Sequence, residues 1–259
     1  MAKPEKLDQF STLVDIIARL RAPDGCPWDR KQTHASLREN LLEECYEVLE
    51  ALDEGDSEEL CDELGDLLMQ IVLHGQIAAE AGEFELGDVI HSINAKLIHR
   101  HPHIFGLEKV KDAEEVAHNW EVLKGEEREA DTSMLESVPK QMPALGYSQE
   151  VQRRVAQLGF DWEDVDGVID KLVEEVREFK QADSDEEKAA EFGDLLFTLV
   201  NVARRQGVDL EAALREANKR FYQRFTYMED ACRQRGLNFS KLSFDEQNAL
   251  WEEAKRKTG

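Results

Sequence analysis

The sequence predicts an all-α protein built from two tandem helical bundles, and three observations carry that expectation. Nearly every long segment of the 259 residues repeats its apolar side chains with helical period, and no run alternates as a strand would. An acidic pattern occurs twice: Glu43-Glu44-Cys45-Tyr46-Glu47 is followed by Glu63-Leu64-Gly65-Asp66, and Glu174-Glu175-Val176-Arg177-Glu178 by Glu191-Phe192-Gly193-Asp194. Downstream, Asn94-Ala95-Lys96-Leu97 with Arg100 matches Asn218-Lys219-Arg220-Phe221 with Arg224, and Leu86 precedes Asn94 by the same distance as Leu210 precedes Asn218. An internal repeat of this length implies two structural units. The first is expected over residues 1–125 and the second over 136–259, joined by a charged and then Pro-containing linker at 126–135.

The elements follow in order. Phe10 to Arg21 carries Leu13, Val14, Ile16, Ile17 and Leu20 on one stripe and reads as the first helix, broken by Pro23, Gly25 and Pro27. Leu37 to Leu52 reads as the helix of the first acid pair, with Leu41, Leu42, Cys45, Val48 and Leu49 on its apolar side. Gly55-Asp56-Ser57 ends it and caps the next, Glu58 to Ala81. Beyond Asp66 that helix is apolar nearly all round, through Leu67, Leu68, Met69, Ile71, Val72 and Leu73, as expected within a bundle or at a dimer interface. The second half repeats the layout, with Leu158-Gly159-Phe160-Asp161-Trp162 matching the Trp28-Asp29 entry, then helices over Val168 to Ala182 and Ala189 to Arg205. Gly65 and Gly193 stand inside helices, where glycine costs roughly 1 kcal/mol relative to alanine, so close approach of a helix or ligand is expected there.

Acids three residues apart share a helix face, so two antiparallel helices would bring four carboxylates to one point in each unit. Such a cluster at the edge of an apolar core repels itself and is costly to desolvate. A hard dication removes the conflict, which makes Glu44, Glu47, Glu63 and Asp66, and Glu175, Glu178, Glu191 and Asp194, candidate metal ligands and magnesium the expected ion. Glu43 and Glu174 either orient a water or are the adjacent exposed acids. Asn218, Arg220 and Arg224 fall on neighbouring helix positions suited to phosphate oxygens, and Lys171 stands one turn before Glu175. Trp251 has two readings, a stacking cover for a base or a core residue. His99, His101 and His103 lack counterparts at Gln223, Phe225 and Tyr227, so they are read as phosphate contacts or as a turn fixed by Pro102. Glu115-x-x-His118 is a single ExxH element where a di-iron bundle needs two.

Composition narrows the partners. Basic residues number 32 and acidic residues 56, a formal charge of -24 that argues against broad binding to nucleic acid or anionic membrane. Between Arg204 and Lys257, however, 12 Lys and Arg face 9 Asp and Glu, a local positive excess that would meet anionic substrate groups if it folds towards the acids. Cys26, Cys45, Cys61 and Cys232 form no CxxC and read as reduced thiols. With no signal-like start and no apolar stretch near ~18 residues, a cytoplasmic chain is expected.

Together, the doubled acid motif, Pro27-Trp28-Asp29, Arg100-His101-Pro102-His103, Asn119-Trp120 and Gly159-Phe160-Asp161-Trp162 make the chain resemble the MazG family of nucleoside triphosphate pyrophosphohydrolases over nearly its whole length. The resemblance implies tandem MazG-like bundles of the all-α NTP pyrophosphohydrolase type, completed by homodimerisation. It also implies cleavage of NTP or dNTP to NMP and pyrophosphate with magnesium, or manganese as a substitute. Carried over by motif, the two acid quartets would bind the metal. Nucleotide contacts would fall on Lys171, Glu174, Asn218, Arg220 and Trp251, with Arg224 beside them and Glu174 and Glu175 as candidate bases. The family can carry Lys where this chain has Glu216, which removes a basic side chain from that turn. Some relatives are catalytic only in the C-terminal domain, so that site ranks first. A non-catalytic helical scaffold, and a hydrolase restricted to dUTP or to a phosphoribosyl nucleotide, are the rival readings.

Overall fold

A computed structural model describes residues 5–126 and 133–259, apart from the side chains of His118, Glu121 and Glu126. The expected linker lies mainly outside the described residues, and so does the His118 side chain. The described residues contain helices and turns and no strand. The chain divides into two compact units, Met1–Arg128 and Glu129–Gly259.

In the first unit α1 (Phe10–Arg21) packs on α3 (Ser57–Ala81), which pairs with α2 (Arg38–Glu54) as a hairpin; α4 (Leu86–Arg100) lies on α3 and on α6 (Ala113–Glu126), with the single turn α5 (Pro102–Phe105) between them. The α2–α3 corner is written in Gly55-Asp56. Gly55 takes the left-handed φ of 69° that closes α2, and the Asp56 carboxylate accepts from the backbone N–H groups of Glu58 and Glu59 to open α3. Ile17, Leu37, Val72, Leu73 and Ile77 form the core, with Leu13, Val14, Leu20, Met69 and Leu86 against it. The break after α1 is tight: a Cβ on Gly25 would stand 2.3 Å from the Leu20 carbonyl oxygen, so only glycine fits. Arg21, its side chain 6% exposed, pairs with Glu80 at 2.7 Å and also donates to the Asp29 and Gln32 carbonyls, fastening the entry segment to α3.

The second unit repeats this plan with α7 (Ala144–Ala156), the hairpin α8 (Val165–Gln181) and α9 (Asp185–Arg205), then α10 (Leu210–Arg235) and α11 (Phe244–Thr258). Helix α7 packs on α9 and α10, and α10 pairs with α11. The aligned starts Leu86 and Leu210 are the first residues of α4 and α10. Helix α9 begins at Asp185, four residues before the expected Ala189, because Ser184 and Glu187 form a reciprocal capping box. Arg154, buried within α7, donates to the Glu150 carboxylate at 2.7 Å and to the Met134 carbonyl at 2.8 Å, fixing the segment before the helix. Met228, Ala231, Cys232, Leu250 and Ala254 form a core between α10 and α11, with Trp251 packed against it.

Both halves place an arginine over a tryptophan at this end: Arg100 stands 5.1 Å from the Trp120 ring and Arg224 5.7 Å from Trp251. His101 donates to the Leu97 carbonyl at 2.6 Å and meets Trp120 edge-on, and Pro102 opens α5, which places the histidine tract at a structural turn. All four cysteines are free thiols. No described helix is long and apolar enough to cross a membrane.

Candidate active site

In each unit the hairpin helices aim their acids at one another. On α8, Lys171, Glu175 and Glu178 follow at i, i+4 and i+7, one face of the helix. That face is set by its start: the Asp164 carboxylate accepts from Gly167 N–H at 2.9 Å, and Val168 is wholly buried in the first turn. Glu191 and Asp194 share a face of α9. Oxygens of Glu175, Glu178 and Glu191 lie within 4.8 Å of one another, and in the first unit those of Glu44, Glu63 and Asp66 do the same. Asp194 and Glu47, the fourth acid of each quartet, are outside these tight trios but within electrostatic reach.

Desolvation pushes the Glu191 carboxyl up from the ordinary carboxylate range, and Glu178, Glu175 and Asp194 add to the shift. Glu63 and Glu47 are likewise pushed up, first by desolvation and then by neighbouring acids: Glu47, Glu59, Asp66 and Glu44 act on Glu63, and Glu44, Glu43 and Asp66 on Glu47. Carboxylates forced together in this way, with an all-oxygen donor set, fit a hard dication such as magnesium or manganese.

The two sites differ in their compensation. Lys171 donates to Glu175 at 2.8 Å and to Glu174 at 2.9 Å, and its ammonium is held well above the usual lysine range, mainly by the bond to the 4%-exposed Glu175. The equivalent position in α2 is Asn40, and there Glu44 accepts instead from the buried Gln70 amide at 3.2 Å. The first cluster therefore has a neutral donor where the second has a cation. The expected close approach of a helix at Gly65 and Gly193 is not met among the described residues, since a Cβ at either position would find nothing within 4 Å.

Beside the second cluster lies a cavity of about 700 Å³, the size of a small-molecule site. Lys171, Glu175 and Asp194 form one part of its lining, and Val151, Val155, Phe160, Trp162 and Phe197 give it an apolar body. The segment of residues 159–162 that lines it is tied down by Asp161, which receives Arg204 at 2.5 Å and Arg205 at 3.1 Å; Arg205 also donates to the Trp162 and Glu163 carbonyls. The bond from Arg204 is the main reason the Asp161 carboxyl titrates below its usual range.

Asn218, Arg220, Arg224 and Trp251 do not line this cavity. Asn218 and Arg220 are exposed on α10, while Arg224 and Trp251 face each other at the α10–α11 core. Gln152 and Asn201, which do line the cavity, had no distinguishing signal in the sequence, being single amides on amphipathic helices.

Residues 32–105 match the MazG nucleotide pyrophosphohydrolase domain, and residues 149–221 match phosphoribosyl-ATP pyrophosphohydrolase. The chain is 44% identical over 248 residues to the nucleoside triphosphate pyrophosphohydrolase/pyrophosphatase MazG of Thermotoga maritima, covering 95% of either chain. It is 41% identical over 258 residues to the nucleoside triphosphate pyrophosphohydrolase of Escherichia coli K12, covering 96% of this chain and 98% of that one. A crystal structure of a mazG-related protein from Thermotoga maritima is 32% identical, covering 44% of this chain and 98% of its own, with a TM-score of 0.39.

Proposed function

The chain belongs to the MazG family of nucleotide pyrophosphohydrolases, and from that premise we propose that it hydrolyses nucleoside and deoxynucleoside triphosphates to monophosphate and pyrophosphate with magnesium, as a cytoplasmic homodimer that cleans the nucleotide pool. The observation that carries this reading is the trio Glu175, Glu178 and Glu191 converging beside a largely apolar cavity that also holds Lys171 and Asp194. A triphosphate has two unlike ends, and this site has two unlike parts to receive them.

Glu175, Glu178, Glu191 and Asp194 would hold the metal in the second unit, and Glu44, Glu47, Glu63 and Asp66 in the first. When bound, magnesium or manganese supplies positive charge to the phosphate oxygens. Lys171 adds a fixed ammonium to the same region. Water attacks the α-phosphorus, the bond to the α–β bridging oxygen breaks, and pyrophosphate leaves with that electron pair. Of the two candidate bases, Glu175 is committed to the carboxylate trio, whereas Glu174 lies outside it and shares Lys171, so Glu174 accepts the water proton. Asn218, Arg220 and Arg224, with Trp251, form a second cationic region on α10 and α11 that would reach nucleotide across a subunit boundary. Apolar side chains left exposed on the hairpin helices, among them Leu42, Tyr46 and Leu49 on α2 and Val173, Phe192 and Leu196 on α8 and α9, support such a dimer.

Incubating the full chain with magnesium and a panel of NTPs and dNTPs, then separating NMP from NDP, tests the reading. NMP with pyrophosphate is expected, while NDP with inorganic phosphate would overturn it. The phosphoribosyl-ATP match over 149–221 favours one rival, a phosphoribosyl nucleotide cut at the same α–β bond. Including that substrate in the panel separates the two, and dimerisation without turnover of any member would leave the scaffold reading.

A further inference from the structure

The two carboxylate clusters share one design and differ by one charge. Helix α8 carries Lys171 one turn before Glu175, and its ammonium donates to Glu175 at 2.8 Å and to Glu174 at 2.9 Å. Helix α2 carries the neutral Asn40 at the matching place before Glu44. The Lys171 side chain is 32% exposed and the Glu175 side chain 6%, so this bond lies at the border of the core, where solvent screens a charge less than on the open surface. Glu44 is held differently: the amide of Gln70, a residue 3% exposed on α3, donates to it at 3.2 Å. An amide orients a carboxylate without cancelling its charge. The place in α9 that matches Gln70 is Thr198. The neighbours acting most strongly on Glu63 are Glu47, Glu59, Asp66 and Glu44, all acids, whereas those acting on Glu191 are Glu178, Glu175 and Asp194 with Lys171 among them.

We infer that Lys171 is a built-in counter-cation that sets the second cluster's affinity for a divalent ion below that of the first, so that without nucleotide and at limiting dication the metal occupies the first unit. This rests on the metal-dependent pyrophosphohydrolase reading of the same sites. A dication approaching Glu175 meets a fixed positive charge within bonding distance of the same carboxylate, whereas one approaching Glu44 meets an amide. The second cluster must give up or share a hydrogen bond between charged groups to accept the ion, which lowers affinity roughly 10- to 100-fold. The first cluster gives up a bond from a neutral amide, a smaller loss, and its four acids have no cation at position 40 to offset them. The Asn40 and Lys171 positions therefore divide the labour: the first unit retains metal, and the second is balanced without it.

The test titrates the full chain with manganese(II) in the absence of nucleotide and follows the bound ion by electron paramagnetic resonance. Two classes of site are expected, with dissociation constants roughly 10- to 100-fold apart. Glu63→Gln should remove the tight class and Glu191→Gln the weak one; each relieves repulsion among acids, so neither threatens the fold. Asn40→Lys, which places an ammonium four residues before Glu44 as Lys171 stands before Glu175, should weaken the tight class by about 10-fold or more. Lys171→Met should tighten the weak class to within about threefold of the tight one. Because Lys171→Met strands a buried carboxylate, Asn40→Lys decides the matter where that variant fails to fold: a tight class unchanged in Asn40→Lys overturns the role of the ammonium. Equal affinities in the wild type, or a tight class that Glu191→Gln removes, overturn the inference; cleavage of ATP to AMP and pyrophosphate by the same preparation then leaves the pyrophosphohydrolase reading standing. Neither manganese uptake nor ATP cleavage overturns both.

Discussion

Replacing Asp161 by asparagine should loosen the loop of residues 159–162 that lines the cavity while sparing the acids. The carboxylate is 20% exposed, and Arg204 and Arg205 are 15% and 20% exposed, so the triad is neither at the surface, where a pair contributes ~0–1 kcal/mol, nor fully buried, where losing one partner costs ~3–5 kcal/mol. Asparagine keeps the volume and one accepting oxygen, so one charge-assisted bond is lost, about 2 kcal/mol. That corresponds to roughly 30-fold in the loop's local closing equilibrium. Arg205 still donates to the Trp162 and Glu163 carbonyls, so the loop is weakened without being freed. Steady-state kinetics of Asp161→Asn with a nucleoside triphosphate should show KM raised about 10- to 30-fold and kcat within about threefold. The thermal transition of the second unit should fall by roughly 6–10 °C. Because Arg204 holds the wild-type carboxyl below its usual range, its stabilising contribution is complete above the unfolded value of 3.8 and is lost as pH falls through the folded value. Wild type and variant should therefore converge in acid. Unchanged KM and melting temperature would refute the role of the tether, and a collapse of kcat at constant KM would place Asp161 in the chemistry instead.

Removing one acid of the second cluster, Glu178→Gln or Asp194→Asn, should abolish pyrophosphate release from that unit with its melting transition retained, as should chelation with EDTA in the wild type. Turnover that survives in a chain whose first-unit acids are also neutralised would exclude those residues. Arg154→Met should destabilise the second unit by about 3 kcal/mol, because it strands the Met134 carbonyl and half of the Glu150 pairing; a urea midpoint equal to wild type would contradict this. In the first unit His74 stacks on His34 with their Nδ1 atoms 2.7 Å apart, and burial first, then His34, pushes the His74 imidazole down from its model-peptide value of 6.5. The unfolded chain then binds the proton the fold refuses, so stability is full above 6.5 and falls as pH drops below it. A urea midpoint for this unit that does not change between pH 7.5 and 5.5 would refute the linkage.

The helical class and the duplicated acids were legible because each depends on local spacing. Leu86 and Leu210 head equivalent helices, and the acids at 175, 178 and 191 meet because helical period alone puts them on facing sides of a hairpin. The start of α9 is not legible in the apolar stripe, which begins at Ala189, because the Ser184–Glu187 capping box begins the helix earlier and a cap is independent of that stripe. Helix α7 carries its information in partners far along the chain. Gln152 meets Phe197 and Arg154 meets Met134, and neither pairing leaves a trace in spacing. The same holds for Asp161 and its arginines, more than forty residues away. Helical spacing puts Asn218 and Arg220 on neighbouring positions of α10, but spacing within one helix carries no information about which cavity that helix faces.

Because helices pair chiefly with sequence neighbours, α2 with α3, α8 with α9 and α10 with α11, each hairpin closes over a short loop. Such low contact order favours rapid folding, and a nascent chain can complete its first bundle while the second is still within the ribosome. The exposed leucines of α2 and α3, among them Leu42, Leu49, Leu64 and Leu68, are then presented to solvent before the second bundle has folded. Synthesis therefore has a vulnerable interval, and a mutation that slows translation between the halves would lengthen it.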